Sequence, residues 1–169
     1  MPISTAPATH LLIIGSREPL AWVLENQRMA FPAGRARESL ALRKGDEVLL
    51  YTTRGCFGNP TRDLGRVIGS ATLTGDVSTL EEPVTFGERR FTEGCRLRIH
   101  GLAPFREGVV LRELVSALQV FPDPASWSVR LRRASLPLPE PDAALLKREL
   151  QPLLKPYRSV VSDYSPSRR

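Results

Sequence analysis

Residues 42–52 have the sequence LRKGDEVLLYT, a Lys-Gly-Asp turn that leads into an apolar strand ending at Tyr51 and Thr52. Apolar residues lie on both faces of this strand, which is typical of a central position in a sheet. Residues 65–73, GRVIGSATL, predict a second strand, in which Gly69 and Ala71 indicate tight curvature or a close approach by another chain segment. The two strands predict a small, curved β-structure. Because no catalytic set of comparable strength occurs elsewhere, we interpret the chain first as a binding domain.

The composition fits one domain and favours an anionic partner. The 169 residues include 24 Lys and Arg against 18 Asp and Glu, a net charge of +6. Nucleic acid is the commonest partner of such a protein, although an ordinary solvated surface rich in arginine explains the charge equally well. No apolar run approaches the ~20 residues of a membrane span, so no membrane partner is expected. Cys56 and Cys95 lack metal-ligand spacing, and we expect a cytoplasmic protein with reduced thiols and no cofactor or metal.

The N-terminal part predicts a buried strand and a helix. Residues 11–15, LLIIG, form a wholly apolar run, and Ser16 is a plausible N-cap for the helix that follows. Trp22 lies off the apolar stripe of this helix, where it either covers the edge of the core or faces a ligand. Residues 27–34 are interpreted as irregular chain, and residues 35–42 predict a second short helix. His10 is interpreted as a surface residue.

The remaining chain predicts one long strand and two helices. Residues 91–101 form a strand candidate whose outward residues Arg96, Arg98 and His100 make a cationic strip. Residues 109–118 and 142–151 have helical spacing, and residues 128–133 predict a short strand. Residues 81–82 are interpreted as a solvated turn. The predicted organisation is a flexible lead-in at residues 1–9, a domain at residues 10–154 and a basic, disordered tail at residues 155–169.

The order of these motifs resembles the EVE domain family of the PUA-like superfamily, which is related to the YTH and ASCH domains. Residues 15–19, GSREP, are similar to the family's Lys-Ser-Glu-Pro motif, with Gly15 where many members have Lys. Residues 34–46 and 65–72 are similar to the two segments that follow, and residues 127–133 with the helix from Asp142 resemble the closing segment. Ala33 stands where a larger aromatic residue or His is expected. The ASCH signature is absent.

This resemblance implies an α+β fold, a PUA-like, strongly bent β-barrel of five or six strands with short helices packed around it. In such domains the cleft between barrel and helices takes nucleic acid, DNA or RNA, and several relatives take a flipped, modified base into an aromatic-lined pocket. Aromatic walls suit this use because a flipped base offers a flat π face. Carried over by position, the expected ligand-binding residues are Ser16, Phe31, Gly34, Arg35, Tyr51, Thr52 and Trp127, and the expected phosphate contacts are Arg66, Arg96 and Arg98.

Other interpretations of these residues stay open. Tyr51, Phe31 and Trp127 also suit ordinary core packing, and Arg35 could simply pair with Glu38 one helical turn away. A small enzyme acting on a nucleotide or nucleobase in the same pocket would need a nucleophile, for which Cys56 with a histidine as base is the candidate. A protein-interaction domain with a vestigial pocket is the third possibility.

Overall fold

The computed structural model describes residues 7–32, 41–59, 61 and 63–165. They form a mixed α+β fold in which a strongly curled, half-barrel sheet is surrounded by short helices, which confirms the expected fold class. The strands are β1 (Thr9–Ile14), β2 (Arg28–Pro32), β3 (Glu47–Thr52), β4 (Arg66–Leu73), β5 (Ser78–Phe86), β6 (Arg89–Leu102), β7 (Val109–Val110) and β8 (Ser135–Leu138). The α-helices are α1 (Arg17–Asn26), α2 (Glu140–Leu150) and α3 (Tyr157–Val160), and 3₁₀ helices span Leu111–Ala117, Pro124–Leu131, Gln151–Leu153 and Val161–Tyr164. No helix in the described ranges is both long and apolar enough to cross a membrane.

The sheet places β1 in its interior. Its main path runs β2-β6-β4-β3-β1-β8, while β5 pairs with β6 and β7 pairs with β4. The β1–β3 pair is parallel, and β8 pairs with β1 in the antiparallel sense. A parallel pair requires a crossover between its strands, and the crossover here includes α1 and β2. The wholly apolar run in β1 is therefore buried on both faces, as predicted.

The Lys-Gly-Asp turn is held by one buried carboxylate. Gly45 has a φ of +93°, a conformation in which a residue with a side chain would be strained. Asp46 accepts hydrogen bonds from the backbone N–H groups of Ala8 at 3.2 Å and Arg43 at 3.0 Å. It also lies beside His10, which is only 3% exposed. The interpretation of His10 as a surface residue is wrong, because its position in β1 carries the ring inside.

Two hydrophobic cores lie on opposite faces of the sheet. The first core contains residues of α1 together with Leu12, Leu50 and Ala71, and the second contains Leu11, Leu49, Tyr51 and Val67 with residues of α2. The pairing of β4 with β3 skips one residue between Gly69 and Val67, a β-bulge that sends Val67 and Ala71 to different cores. The regular alternation of side chains between the two faces of β4 is therefore broken at this bulge.

The close approach predicted at Gly69 is confirmed. A Cβ atom at this position would lie 2.9 Å from the backbone carbonyl oxygen of Gly101 on the neighbouring strand. Glycine is therefore required for β4 and β6 to come together at this point in the curled sheet.

Several segments differ from their predicted structure. Residues 28–32 form β2 and residues 78–86 form β5, although the first was interpreted as irregular and part of the second as a turn. Both strands gain their hydrogen bonds from β6, a partner far away in sequence. Residues 128–133 fall largely in a 3₁₀ helix, and the strand follows at residues 135–138. The helix predicted at residues 35–42 lies mainly outside the described residues.

The C-terminal segment is ordered through residue 165, so the tail expected from residue 155 is wrong for residues 155–165. Lys155 exchanges two backbone hydrogen bonds with Leu102, at 2.9 and 3.1 Å. Val160 and Tyr164 are buried in the first core, and the Tyr164 hydroxyl donates to the carbonyl oxygen of Ala103 at 2.6 Å. The apolar spacing of this segment thus builds a helical turn against the sheet. Residues 166–169 lie outside the described part.

Candidate nucleic-acid interface

A cleft of about 230 Å³ opens where β1 passes into α1. The carboxyl ends of the parallel strands β1 and β3 meet at this edge, where the N–H of Thr53 donates to the carbonyl oxygen of Ile14 at 3.1 Å. Gly15, Ser16 and Thr53 therefore form one rim of the cleft. The remaining walls come from α1, β2, the β5–β6 hairpin and the segment before β8.

The aromatic wall of the cleft consists of Trp22, Phe86 and Phe91. The rings of Trp22 and Phe86 meet edge to face with centroids 6.1 Å apart, and those of Phe86 and Phe91 with centroids 5.0 Å apart. The β5–β6 hairpin delivers both phenylalanines, since it turns at Gly87, whose φ is +60°. The Arg89 guanidinium lies 5.6 Å from the centroid of the Phe91 ring. These contacts hold the aromatic side chains in fixed relative orientations.

Hydroxyl and guanidinium groups supply the polar side chains of the lining. Ser16 and Thr53 contribute hydroxyls, and Arg89 and Arg133 contribute guanidinium groups. Ser16 stands at the N-cap position of α1, yet its side chain makes no capping hydrogen bond. The Nε–H of Arg133 donates to the backbone carbonyl oxygen of Ser135, which anchors that side chain at the base of β8. The cleft therefore combines apolar aromatic surface with hydrogen-bond donors.

Comparison with known proteins gives a result at the level of the fold. No protein-family model matches the sequence, and no curated protein is significantly similar to it. The solved YTH domain of Zygosaccharomyces rouxii MRB1, in complex with N6-methyladenosine RNA, is 17% identical, with 88% of this chain and 92% of that chain covered and a TM-score of 0.55. The Pho92 YTH domain in complex with m6A is 15% identical, with 88% of each chain covered and a TM-score of 0.56. A hypothetical protein from Leishmania major is 16% identical, with 86% and 96% covered and a TM-score of 0.51.

This chain has a YTH-like fold. The YTH domains, which the sequence analysis gave as relatives of the EVE family, are therefore similar to this chain in backbone fold. At these identities the likeness concerns the path of the backbone, and the chemistry of the cleft has to be judged from the residues of this chain.

Only some of the expected ligand-binding residues lie in the cleft of this YTH-like fold. Ser16 is in the lining, whereas Phe31, with 0% of its surface exposed, belongs to the first core. Trp127 packs against Phe121 at the edge of the second core, with ring centroids 5.9 Å apart. Gly34 and Arg35 lie outside the described residues, directly after Pro32, which is part of the cleft.

Tyr51 and Thr52 are buried beneath the sheet edge and are not part of the lining. The hydroxyl of Tyr51 lies against Gly65, where a Cβ atom would overlap it. Burial raises the pKa of Tyr51 to about 12, against a smaller lowering by the Arg54 charge. Thr53, one residue further along, is the residue of this strand end that reaches the cleft. The end of β3 therefore reaches the cleft through Thr53, while Tyr51 and Thr52 lie behind the lining.

The expected phosphate contacts have different surroundings. Arg96 and Arg98 are exposed on β6, with Arg98 opposite Thr72 of β4. Arg66 lies at the other end of β4, opposite Thr52, and its guanidinium donates to the carbonyl oxygen of Gly108 at 3.4 Å. Arg96 and Arg98 thus form an exposed strip, which Arg66 does not join.

The sequence interpretation missed most of the aromatic wall. Trp22 was recognised as lying off the apolar stripe, with ligand contact as one alternative. Phe86, Arg89 and Phe91 were missed because residues 81–90 were not recognised as the two arms of a hairpin. A usable signal was present, since residues 86–91, FGERRF, place one phenylalanine on each side of a glycine turn.

The nucleophile considered for an enzyme is not activated. Cys56 is 3% exposed in the first core, and burial raises the pKa of its thiol to about 12, which the charge of Arg17 only partly offsets. His100 is exposed on β6, with its Nε2 atom 2.6 Å from the Thr72 hydroxyl. A buried, protonated thiol and an exposed histidine do not make a nucleophile and base pair. Among the described residues, no cluster of His, Cys, Asp and Glu could hold a metal ion.

Proposed function

We propose that this protein is a nucleic-acid-binding domain that takes one unstacked, modified base into the cleft beside α1. The observation that carries the proposal is the aromatic wall of Trp22, Phe86 and Phe91, in a cleft that also contains the Ser16 and Thr53 hydroxyls. Stacking of a base on an aromatic side chain contributes ~1–3 kcal/mol, and oriented polar groups can contact the base edge.

The size of the cleft supports a single ring system as the ligand. Its volume of about 230 Å³ is smaller than that of most pockets for drug-sized molecules, which range over ~300–1,000 Å³. A large cofactor would not fit, whereas one base could enter while the rest of the strand stays outside. The YTH-like fold adds support, because the solved MRB1 and Pho92 domains are complexes with N6-methyladenosine RNA and m6A. Membership of the EVE family is part of this proposal.

The rest of the strand would lie over the basic surface of the sheet. β6 runs from Phe91 at the cleft to Arg96, a distance of about 17 Å at ~3.3 Å per residue. Arg96 and Arg98 would contact backbone phosphates and make binding dependent on salt. Gly34 and Arg35 remain proposed ligand contacts, while Phe31, Tyr51 and Thr52 are proposed to support the cleft from behind. Trp127, which packs against Phe121 at the second core, is proposed to take no part in binding.

The two tryptophans provide the test. Single-stranded oligonucleotides with one central N6-methyladenosine, 5-methylcytosine, 5-carboxylcytosine or unmodified base are titrated in RNA and DNA form, with binding followed by fluorescence anisotropy. Trp22→Ala should weaken binding of the preferred modified strand by about 5- to 100-fold, the equivalent of ~1–3 kcal/mol. Trp22→Phe should keep much of the affinity that Trp22→Ala loses, because it retains an aromatic ring. Trp127→Ala is the matched control, because Trp127 is also half-buried but lies outside the cleft.

Two results would contradict the proposal. One is equal binding of modified and unmodified strands, and the other is a Trp22→Ala variant that is folded by circular dichroism and binds like the wild type. If Trp127→Ala alone weakened binding, the cleft would be the wrong site.

A docking surface for a protein partner has less support. In the part of the chain that the structure describes, Val129, at 52% exposure, is the single exposed large hydrophobic residue. One isolated side chain does not form an apolar patch of the kind that marks an interface.

A further inference from the structure

We propose that the base preferred by this cleft carries a negative charge, as a pyrimidine with a carboxylate substituent does. This inference rests on the proposed function, because it names the class of ligand for the same cleft. It is carried by the polar composition of the lining and by the surroundings of its two arginines.

The described lining residues offer donors rather than acceptors. Their polar side chains are those of Ser16, Thr53, Arg89 and Arg133, and none of the described lining residues is Asp, Glu, Asn or Gln. An arginine offers five N–H donors and no acceptor, while a hydroxyl both donates and accepts. A base edge whose distinguishing group is an N–H would find few side-chain acceptors here. An anionic group would meet several donors at once.

Arg133 is fixed in position, and none of the described residues pairs with its terminal amino groups. Its Nε–H is bound to the carbonyl oxygen of Ser135, which restricts the plane of the guanidinium. Within the described residues, no carboxylate forms an ion pair with Arg133. The four N–H bonds of the two terminal amino groups therefore remain for a ligand, in the fork geometry that matches a carboxylate.

Arg89 brings a second positive charge from a different segment. It stands in the β5–β6 hairpin with its guanidinium 5.6 Å from the Phe91 ring centroid, and it too has no acidic partner among the described residues. Arg89 and Arg133 both line the cleft, so an anion bound there can meet either guanidinium group. The charge-assisted hydrogen bonds that it gains are roughly twice as strong as neutral ones.

The aromatic side chains of the cleft indicate that the anion is attached to a ring. A phosphate alone would use the arginines but would leave Trp22, Phe86 and Phe91 without a stacking partner. A carboxylated pyrimidine uses both parts of the cleft, since its ring stacks while its substituent meets the guanidinium groups.

The test compares single-stranded DNA molecules of one length that differ only at one central position. That position holds 5-carboxylcytosine, 5-methylcytosine or cytosine, and binding is measured at one fixed salt concentration. A further pair of unmodified strands carries either a 5′-phosphate or a 5′-hydroxyl. We expect the carboxylated strand to bind at least about tenfold more tightly than the methylated one, because hydrogen bonds to charged groups contribute ~1.5–3 kcal/mol.

Two arginine variants assign the effect to the cleft. Arg133→Gln should reduce the difference in affinity between the carboxylated and methylated strands to less than about threefold, since the neutral amide lacks both the charge and the paired N–H donors of the guanidinium group. Arg98→Gln, on the exposed strip of β6, should weaken all strands by a similar factor and leave the ratio unchanged.

The inference would be overturned if the methylated strand bound as tightly as the carboxylated one while Trp22→Ala still weakened binding. In that case the proposed function would stand and only the charge preference would fail. A preference for the 5′-phosphate strand would overturn it in favour of a terminal phosphate. No dependence on the central base in any strand, with Trp22→Ala also without effect, would reject the proposed function itself.

Discussion

The side chains of His10 and Asp46 meet inside the protein, with His10 Nε2 3.1 Å from Asp46 Oδ2. The same carboxylate accepts the backbone N–H groups of Ala8 and Arg43. One buried side chain therefore joins the beginning of β1 to the Lys-Gly-Asp turn before β3. The parallel pairing of these two strands brings both groups to the same place.

Asp46→Ala should lower the free energy of unfolding by about 2–4 kcal/mol, because it leaves several part-buried donors without an acceptor. Urea denaturation measures the change. Asp76→Ala is the matched control, since Asp76 accepts the backbone N–H of Lys44, the residue after Arg43, at 2.7 Å but is exposed to solvent. This variant should lose less than about 1 kcal/mol of unfolding free energy. An equal loss of stability in both variants would show that burial of the Asp46 carboxylate is not the important factor.

Gly69→Ala should destabilise the protein by about 1–3 kcal/mol, because the added methyl group lies 2.9 Å from the Gly101 carbonyl oxygen and the strands must move apart. Gly75→Ala serves as the control, since a Cβ at Gly75 meets no atom within 4 Å. That variant should be neutral or slightly more stable. The thermal unfolding of both variants is compared with that of the wild type. A Gly69→Ala protein as stable as the wild type would contradict the close contact of β4 and β6.

Stability should fall as the pH rises above about 9. Burial raises the pKa of both Cys56 and Cys95 to about 12 from an ordinary value of 9.0. Because the folded thiols hold their protons more tightly than the unfolded ones, their contribution is complete below pH 9.0 and is lost as the pH approaches 12. Urea midpoints across this alkaline range measure the effect.

A thiol reagent gives an independent check on the same two cysteines. Both should react slowly in the folded protein at neutral pH and fast once urea has unfolded it. Rapid labelling of the native protein, or urea midpoints that stay constant to pH 12, would contradict the buried, protonated state of the thiols.

Arg17→Met should cost about 1–2 kcal/mol of stability. Its guanidinium donates to the carbonyl oxygens of Asp163, Tyr164 and Ser165 and lies 4.8 Å from the centroid of the Phe105 ring. The variant keeps the apolar stem and loses these bonds. Arg158→Met, at an exposed site in α3, should change the free energy of unfolding by less than about 0.5 kcal/mol. Limited proteolysis near residue 160 should be faster in the Arg17 variant only.

If the proposed function holds, Arg96→Gln with Arg98→Gln should flatten the salt dependence of binding to single strands. Each lost phosphate contact reduces the magnitude of the slope of log K against log salt by about 0.7, so this magnitude should be about 1.4 smaller in the double variant. Arg66→Gln should leave the slope nearly unchanged, since Arg66 is half-buried and donates to Gly108. A similar change of slope in both proteins would show that Arg66 contacts phosphate as well.

The parts of the fold that could be predicted are those with a strong local pattern. β1, α1, β3 and β4 have apolar runs or stripes that specify their type without reference to the rest of the chain. β2 and β5 could not be predicted in this way, because pairing with β6 forms them and few of the side chains of β5 are buried. The burial of His10 had no local signal either, since its partner Asp46 lies far along the chain.

The candidate site shows the same division. Ser16 was carried over from the family resemblance of residues 15–19, and it is part of the cleft lining. The same resemblance gave Tyr51 and Thr52 at the end of β3. Tyr51 lies on the same face of β3 as Leu49, so its ring packs in the second core beside Val67. The wall residues Phe86 and Phe91 are positioned by the folding of a hairpin back onto α1, which local periodicity does not encode.

The interior position of β1 affects how the chain can be made. On a ribosome, the apolar run at residues 11–14 of β1 emerges long before its antiparallel neighbour at residues 135–138. Until then the backbone groups along one edge of β1 stay unpaired and can bind other nascent chains. Premature termination should therefore yield aggregation-prone fragments rather than smaller folded domains. A chaperone that covers this run during translation should raise the yield of folded protein.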